Sequence, residues 1–367
     1  MREEIFHWLG LSLVPGVGAV LHKRLLQRFN HPIAVFQASL EELLSVEGMP
    51  QRVAEAIRQG PFEKAVEREL YLLNEINGTL LTIQDEEYPR RLKNIYDPPP
   101  LLYVRGTVKR EDDFAMAIVG SRRTSTYGRA ITEKLSHDLA VHGMTIVSGM
   151  ARGIDSVAHQ GALGAGGRTL AVLGCGVDVI YPPENRRLCE EIITHGAVVS
   201  EFPMGSPPEG SHFPKRNRVI SGLSLGVVVV QAGQKSGSLI TANCALEQGR
   251  DVFAVPGNVG IDGSSGTNQL IKDGAKLVAG SADILEEVIP QWTKEKEEEG
   301  AEGKKIALPL SPDEKRIYDH LGEEPVHIDP IIRESQLDPG KVLSLLLGLE
   351  LKGLVLQWPS KCFSKKA

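Results

Sequence analysis

Short, wholly apolar segments alternate with segments of helical spacing between residues 114 and 255. The apolar segments are rich in Val, Ile, Leu and Ala, and they occur at 115–119, 144–147, 169–173, 197–199, 225–231 and 252–255. The helical segments between them include 128–141, 154–163, 184–194 and 238–248. Strands that are apolar on both faces are typical of a parallel sheet with helices on both sides. Because crossovers between parallel strands are right-handed, the pattern predicts an α/β fold with an extended Rossmann-like, doubly wound and mostly parallel sheet.

The first of these strands runs directly into Gly120, Ser121, Arg122 and Arg123. In a doubly wound sheet, ligands bind beyond the carboxyl ends of the strands, where this segment is expected to lie. A strand that ends at Gly-Ser and leads into a helix presents backbone N–H groups to an anion, and a guanidinium binds phosphate through two parallel hydrogen bonds. An ordinary turn with solvated arginines is the alternative. The coincidence of glycine, two arginines and the expected ligand edge favours a phosphate site.

Two further glycine segments are expected at the same edge of the sheet. Ser148 and Gly149 follow the next strand and offer backbone donors to the same pocket. Ser236, Gly237 and Ser238 begin a helix that is rich in hydroxyl and amide donors. This second segment resembles a phosphate-binding turn but lacks the G-x-x-x-x-G-K-[ST] spacing. The sequence therefore predicts anion binding there without ATP hydrolysis.

A basic run begins directly after an aromatic ring in the second half of the sheet region. The residues concerned are Phe213, Lys215, Arg216, Asn217 and Arg218. The polar side chains suit a sugar-phosphate backbone, and a base stacked on the ring would contribute roughly 1–3 kcal/mol. Anchoring of the loop in the core is an almost equal alternative for the ring. A solvated helix start is the alternative for the charges. Because cations at a helix start are unfavourable unless an anion is present, the run favours an anionic ligand.

Catalytic and cofactor patterns are weak throughout the sequence. No G-x-S-x-G element of a serine hydrolase occurs, and no cluster of His, Cys and Asp has the spacing of metal ligands. Asp155 suits a helix cap better than a contact to the ribose of a nucleotide cofactor. We therefore expect no enzymatic activity, no metal and no cofactor. The sequence has four cysteines but no C-x-x-C pair, which predicts reduced thiols in a cytoplasmic protein. It also has no apolar run typical of a membrane helix or a secretion signal, so we expect no membrane association.

Charge is unevenly distributed along the chain. The net charge of −6 argues against a uniformly basic DNA-coating protein. Lys and Arg nevertheless outnumber Asp and Glu by six to three over residues 114–170 and by five to two over residues 205–250. This distribution predicts a local basic groove on an otherwise acidic protein.

The first part of the chain has a purely helical pattern. Residues 1–69 are predicted to form an all-α domain of the helix-hairpin-helix or SAM-like type, because glycine turns precede helices at 19–29 and 51–58. The turn amides of such a unit are able to contact a DNA phosphate. Small helical domains need tight turns in any case, so DNA contact and a structural role both remain open here.

Residues 70–290 are expected to form the sheet domain, including a proline-stiffened bridge at 70–112. A charged linker is expected at 291–307, because few apolar groups occur there. Residues 308–367 then show the order of elements of a winged-helix-like domain. Its third helix is leucine-rich, which suits packing or protein contact at least as well as DNA binding.

Several runs of residues resemble the DNA-processing protein A family, also called DprA or Smf. The matching runs include Ala117-Ile-Val-Gly-Ser-Arg122, Val147-Ser-Gly-Met-Ala-Arg-Gly-Ile-Asp155, His212-Phe-Pro-Lys-Arg-Asn-Arg-Val-Ile-Ser-Gly222, Ser236-Gly-Ser-Leu-Ile-Thr241 and Gly249-Arg-Asp-Val-Phe-Ala-Val-Pro-Gly257. They stay in register over about residues 80–285. The resemblance implies a Rossmann-like domain that binds single-stranded DNA, forms a homodimer and has no enzymatic activity.

The same resemblance implies a biological role and a site. Members protect incoming single-stranded DNA during natural transformation and load the RecA recombinase onto it. Carried over by motif, the strand-binding pocket falls on Gly120, Ser121, Arg122, Lys215, Arg216, Asn217 and Arg218. Dimer and recombinase contacts would fall on the side formed by residues 225–275.

Two other functions compete with this one. A nucleotide-binding enzyme or sensor of the lysine-decarboxylase-like phosphoribohydrolase type would carry Pro-Gly-Gly-x-Gly-Thr with a nearby catalytic Glu. The comparable stretch here is Ala232-Gly-Gln-Lys-Ser-Gly-Ser-Leu-Ile-Thr241, with Glu247 further on, so that pattern is broken. A regulator acting on double-stranded DNA through the winged helix would bind duplex more tightly than single strands.

Overall fold

The computed structural model describes residues 2–60, 62–298, 310–322, 324–335, 337–351, 354–358 and 361–365. The chain divides into two compact units. The first comprises Met1–Ala140 and Met144–Val278, and the second comprises Val141–Gly143 and Ala279–Ala367. The N-terminal helices and the large sheet therefore belong to one unit, and the C-terminal helices and strands belong to the other.

Six helices form the N-terminal part of the first unit. They are α1 (Arg2–Ser12), α2 (Ala19–Phe29), α3 (Pro32–Gln37), α4 (Leu40–Leu44), α5 (Gln51–Gln59) and α6 (Glu63–Glu75). Helices α2 and α5 begin where the glycine turns predicted them. Gly16 before α2 has a φ of +94°, and a Cβ there would lie 2.7 Å from a methyl group of Val53, so glycine allows the turn to pack on α5. The fully buried core of this region includes Leu25, Val35, Leu43 and Ile57.

A nine-stranded sheet forms the rest of the first unit. Its strands are β1 (Thr79–Thr82), β2 (Leu101–Gly106), β3 (Ala115–Val119), β4 (Thr145–Ser148), β5 (Thr169–Val172), β6 (Ala197–Ser200), β7 (Gly226–Val229), β8 (Asp251–Ala254) and β9 (Lys276–Leu277). The order across the sheet is β1-β2-β6-β5-β4-β3-β7-β8-β9. Strands β3 to β9 pair in parallel, and β1 and β2 add an antiparallel edge. The strand order reverses between β3 and β7, so their carboxyl ends form a topological switch point.

Helices cover both faces of the sheet. They are α7 (Arg90–Lys93), α8 (Thr126–Val141), α9 (Ile154–Gly164), α10 (Arg186–His195), α11 (His212–Gly222), α12 (Gly237–Glu247) and α13 (Asp262–Lys272), with 3-10 turns at Arg110–Asp113 and Pro183–Asn185. Apolar side chains of α11 and α12 pack on one face, and those of α10 pack on the other. Every residue of the central strands β3 to β7 is buried, which explains why these strands are apolar on both faces.

The predicted α/β fold is confirmed, since the six apolar runs became β3 to β8. The expected division between residues 69 and 70 falls inside α6, which continues to Glu75. Val66 and Leu73 of this helix are buried in one cluster with Leu80 and Leu101 of β1 and β2. The helical region and the sheet therefore share a core at the point where sequence composition indicated a boundary.

The second unit begins with α14 (Ser281–Glu298) and continues with α15 (Pro312–His320), β10 (Val326–His327), α16 (Ile328–Ser335), α17 (Pro339–Leu351), β11 (Val355–Trp358) and β12 (Cys362–Lys365). The three strands pair antiparallel in the order β10-β12-β11. The order of elements from α15 to β12 is that of a winged helix, as predicted.

The expected linker at 291–307 needs a correction. Residues 291–298 continue helix α14, because the charged residues there are mainly Lys and Glu, which are good helix formers. The remainder of the expected linker, residues 299–307, lies outside the described residues.

The leucine-rich third helix of the winged helix, α17, is mainly a packing element. Val342, Leu346 and Leu349 are fully buried in its core, whereas Leu343 is about half exposed. The basic residue at the start of the helix, Lys341, pairs with an aspartate of α15. Its other predicted basic residue, at position 352, lies outside the described residues. Within its described part, α17 therefore shows little of the unpaired positive charge expected of a helix that reads DNA.

Candidate nucleic-acid interface

An open cavity of about 710 Å³ lies at the switch point, beyond the carboxyl ends of β3 and β7. Its walls come from the loop after β3, the start of α9 and the N-terminal parts of α11 and α12. Nine of the predicted site residues line it, namely Gly120, Ser121, Arg122, Phe213, Arg216, Asn217, Ser236, Gly237 and Ser238. The other predicted site residues lie outside its lining, namely Arg123, Ser148, Gly149, Lys215 and Arg218.

The loop between β3 and α8 is held by hydrogen bonds within the protein. The Ser121 amide donates to the Gln231 carbonyl at 2.7 Å, and the Ser125 amide donates to Gln231 Oε1 at 2.9 Å. The Arg123 amide donates to Ser121 Oγ at 3.1 Å, and helix α8 begins only at Thr126. The prediction that this turn presents free amides to a phosphate is therefore wrong for Ser121 and Arg123, because protein acceptors already satisfy their amides.

Two cations at the cavity have no carboxylate partner among the described residues. Arg122 follows β3 and Lys235 precedes α12, and both side chains are exposed and line the cavity. Unpaired cations in a concave site attract anions and raise their local concentration. Lys235 was missed as a site residue by sequence reasoning. The available signal was a lysine directly before the Ser-Gly-Ser helix start.

The half-buried ring of Phe213 forms one wall of the cavity. The guanidinium carbons of Arg122 and Arg216 lie 5.1 and 5.9 Å from its centre. The ring also packs against the protein. A Cβ on Gly174 would lie 3.0 Å from Cδ1 of Phe213, and the ring centres of Tyr181 and Phe213 are 5.9 Å apart. The two alternatives considered for Phe213 therefore coexist, since the ring packs against the protein and also lines the cavity.

Arg216 is the buried cation of the cavity, with 4% of its surface exposed. Its Nη1 donates to the Gly149 carbonyl at 2.7 Å and to the Val172 carbonyl, and its Nε donates to Asn217 Oδ1 at 3.2 Å. A Cβ on Gly149 would lie 2.2 Å from Nη1, so only glycine leaves room for the guanidinium. Gly149 thus accepts a hydrogen bond through its carbonyl and leaves room for the guanidinium because it has no side chain. Arg216 contributes positive potential from a fixed position.

Asp155 is the one acidic residue that lines the cavity. Burial raises the pKa of this carboxyl, while the charges of Arg216 and Arg122 act in the opposite direction. Burial also lowers the pKa of the Arg216 guanidinium, and Asp155 opposes that shift. Since Lys235 adds a third cation, the lining has an excess of positive charge.

The N-terminus of α12 faces the cavity. Ser236 is its N-cap, and Ser236 Oγ accepts from the Ser238 amide at 3.4 Å. A Cβ on Gly237 would have no neighbour within 4 Å, so the first turn of α12 is open on the side of this residue, which lines the cavity. Asn217 Nδ2 donates to the Gly237 carbonyl at 3.2 Å and ties α11 to α12. A helix N-terminus with open space before it favours an anion such as phosphate.

Three predicted site residues serve other contacts. Ser148 is fully buried, and its hydroxyl donates to a carbonyl of β3 at 2.6 Å. Arg218 pairs with Asp97, at 3.2 Å from Nε to Oδ2, and donates to Glu201. Lys215 is exposed and lines a second cavity of about 550 Å³, next to the start of α2. The sequence predicted that an anionic ligand faces the basic run. For Arg218, the anionic partners are instead two carboxylates of the protein itself.

In the part of the chain that the structure describes, no group of three or more His, Cys, Asp and Glu residues is arranged to hold a metal ion. Among the same residues, no helix combines the length and the apolar character needed to cross a bilayer.

A parallel sheet with a cationic cavity at its switch point, next to a helix N-terminus and an aromatic ring, defines a Rossmann-like protein with an anion-binding crevice. The family model for DNA recombination-mediator protein A matches residues 79–289, and that for the DprA winged helix domain matches residues 303–361. The chain belongs to the DNA recombination-mediator protein A family, whose members are also named DprA or Smf. The resemblance found in the sequence is confirmed.

Three relatives illustrate the match. Protein Smf of Synechocystis is 37% identical over 401 residues, and the alignment covers 100% of both chains. The crystal structure of DNA processing protein A from Streptococcus pneumoniae has a TM-score of 0.67 at 36% identity and covers 78% of this chain and 98% of its own. DNA processing protein A from Helicobacter pylori, a structure described for its single-stranded DNA binding mode, has a TM-score of 0.53 at 32% identity and covers 60% of this chain and 97% of its own.

Proposed function

We propose that this chain binds single-stranded DNA in the cavity at the switch point and catalyses no reaction on it. It would protect incoming DNA during natural transformation and load the RecA recombinase onto the strand in the cytoplasm. Membership of the DNA recombination-mediator protein A family supports this proposal, and so does the relative from Helicobacter pylori that is described as binding single-stranded DNA.

One observation carries the proposal. The unpaired cations Arg122 and Lys235 share one cavity with the half-buried ring of Phe213 and the open start of α12. Phosphate groups fit the cations and the helix N-terminus, whereas an unstacked base or sugar fits the ring. A duplex keeps its bases stacked inside the helix and offers no such face. The site chemistry therefore favours an unpaired strand.

The predicted residues take different roles in this proposal. Direct contacts are assigned to Arg122, Phe213, Lys235, Ser236, Gly237 and Ser238, with Gly120 and Ser121 shaping the wall beside them. Positioning of the cavity is assigned to Ser148, Gly149, Arg216, Asn217 and Arg218, whose side chains or carbonyls are engaged within the protein. Arg123 and Lys215 are exposed beyond the lining, where a longer strand would pass.

Fluorescence anisotropy with unstructured single-stranded and duplex oligonucleotides across a salt series tests the proposal. We expect tighter binding to the single strand and a linear fall of log K with log[salt], at a slope of about −0.7 for each phosphate contacted. No binding to oligothymidylate at low salt, or tighter binding to duplex of the same length, would overturn it. The second of these outcomes would favour the regulator that acts through its winged helix.

Assembly and partners belong to the same proposal. We propose a homodimer that engages RecA through the side formed by residues 225–275, with the helical region at 1–69 and the winged helix at 308–367 as separate modules. Sedimentation of the full chain would measure the dimer. Nucleation of RecA filaments on DNA coated with single-strand-binding protein would measure loading. A monomer, or a chain that leaves the nucleation lag unchanged, would contradict the respective part.

A phosphoribohydrolase gains no support from the site. Glu247, the candidate catalytic acid, is the last residue of α12. Since a helix rises about 1.5 Å per residue, the backbone of Glu247 lies about 15 Å along the helix axis from Gly237, which lines the cavity. Release of free base from a nucleoside monophosphate by the purified chain would reverse this conclusion.

A further inference from the structure

The segment from Arg122 to Arg129, called here the rim segment, continues from the cavity along the carboxyl edge of the sheet. It carries Arg122, Arg123 and Arg129, and the first acidic residue after β3 is Glu133. All three arginines are exposed, and none of them pairs with a carboxylate among the described residues. The positive charge of the cavity therefore extends beyond its lining.

An exposed aromatic ring lies within this basic segment. Tyr127, in the first turn of α8, is 56% exposed. Its hydroxyl donates to the Pro256 carbonyl at 3.3 Å, which ties one end of the ring to the loop after β8. Tyr71, by comparison, is 63% exposed on α6, where the residues four positions away on either side are Glu67 and Glu75. An exposed ring between cations is the combination that single-stranded nucleic acids use for stacking.

The rim segment is held in place before any ligand arrives. Gln231 Oε1 accepts from Thr124 Oγ1 at 3.1 Å and from the Ser125 amide at 2.9 Å. A Cβ on Gly128 would lie 2.5 Å from the same oxygen, so the helix start packs directly on Gln231. A ring and cations on a fixed backbone bind a strand at less entropic cost than the same groups on a mobile loop.

We propose that the rim segment is a second contact surface for the same DNA strand, where Tyr127 stacks one base and Arg123 and Arg129 bind the adjacent phosphates. This inference rests on the proposed function. It extends the interface beyond the cavity, so a strand long enough to leave the cavity binds more tightly than one that only fills it.

The test compares oligothymidylates of about four and about twenty nucleotides, a range that spans the site sizes of single-strand-binding folds. Replacing Tyr127 by alanine is expected to weaken binding of the longer strand by about fivefold or more and to leave the shorter strand unaffected. Tyr127→Phe keeps the ring and removes only the hydroxyl, so it should bind both strands as the wild type does. Tyr71→Ala is the matched control, because that ring is about as exposed as Tyr127 but lies beside glutamates, and it should also bind both strands normally.

A second measurement does not depend on the ring. Arg129→Ala should lower the salt slope by about 0.7 with the longer strand and leave it unchanged with the shorter one. The inference is overturned if the Tyr127→Ala protein binds the longer strand like the wild type, or if it loses affinity equally for both strands. Failure of the wild type to bind either strand would instead refute the proposed function.

Discussion

Arg216 and Arg218 stand two residues apart in α11, yet their guanidinium groups have different partners. Arg216 donates to the carbonyls of Gly149 and Val172, whereas Arg218 pairs with Asp97 and Glu201. The carbonyls that bind Arg216 are neutral and Asp155 offsets its charge in part, whereas two carboxylates pair directly with Arg218. Of these two neighbours, Arg216 is therefore the one that adds positive potential to the cavity.

Arg122 is the residue at which the binding proposal is most directly tested. We expect Arg122→Ala to weaken single-strand binding and to lower the salt slope by about one unit or less, because one phosphate contact is lost. Anisotropy titrations at several salt concentrations measure both quantities. Arg187→Ala is a matched control, since that side chain is almost fully exposed on α10 and pairs only with a glutamate of the same helix. An unchanged slope for the Arg122 variant would remove this residue from the interface.

Gly149 offers a prediction about shape rather than charge. In Gly149→Ala the new methyl group would overlap the Arg216 guanidinium, so we expect a loss of about 1–3 kcal/mol in the free energy of unfolding together with weaker strand binding. Denaturant unfolding and anisotropy measure the two effects. Gly164→Ala is the control, because a Cβ at Gly164 would have no neighbour within 4 Å. Wild-type stability of the Gly149 variant would show that the guanidinium moves aside freely.

At the scale of elements, Arg218 joins α11 to the bridge before β2 and to the loop after β6. Burial raises the pKa of Glu201, and Arg218 opposes that shift. We expect Arg218→Ala to cost about 3 kcal/mol of stability, because it leaves a buried carboxylate without its partner. Adding Glu201→Gln should recover part of that loss, since the amide carries no charge. Chemical denaturation of both variants measures this, and equal stability of the single and double variants would contradict it.

The sequence predicted the central strands well, but it did not indicate every helix that packs beside them. Strands β3 to β8 can be predicted from the sequence because strands that are buried on both faces consist of continuous apolar residues. Helix α13 was missed because it begins Asp-Gly-Ser-Ser-Gly, which is a poor helix-forming segment. It is stabilised by packing, since the Gly266 amide donates to the Ala232 carbonyl at 2.8 Å and a Cβ there would lie 2.8 Å from that oxygen.

The candidate site was predictable in its segments but not in its hydrogen bonds. Glycine and arginine clusters after strands pointed to the correct edge of the sheet, because topology alone brings those ends together. Nothing in the local sequence showed that Gln231, more than a hundred residues from the loop after β3, would satisfy the amides of that loop. Of the two partners of Arg218, Asp97 is 121 residues away and Glu201 is 17 residues away. Long-range polar pairing therefore decided which predicted groups remain free for a ligand.

At the scale of the whole molecule, two buried histidines link stability to pH. Burial lowers the pKa of His22 and of His159 to about 3, and the charge of Arg216 adds to this effect at His159. Both ring nitrogens of His22 and Nε2 of His159 are buried without a hydrogen-bond partner among the described residues. Each ring is therefore neutral in the folded protein at pH values where the unfolded chain takes up protons, near its ordinary pKa of 6.5.

These depressed pKa values set the sign of the pH dependence. Their contribution to stability is complete above about pH 6.5 and falls as the pH is lowered toward 3, by up to about 1.4 kcal/mol per pH unit for each histidine. Urea unfolding between pH 5 and pH 7.5 measures the slope. His22→Leu should reduce the slope by up to about one proton, since the ring lies stacked on Trp8 in an apolar setting. A slope that this variant leaves unchanged would contradict the assignment.

Gln231 is buried beneath the loop that carries Arg122, and its side-chain oxygen accepts hydrogen bonds from Thr124 and Ser125. A crevice whose backbone is held by these hydrogen bonds should need little rearrangement to accept a strand, so we expect diffusion and electrostatic steering to govern how quickly a strand arrives. Differences in affinity among DNA strands would then come mainly from differences in their dissociation rates. Under the proposed function, a protein with these kinetics would capture single strands at similar rates and release each one on a timescale set by that strand.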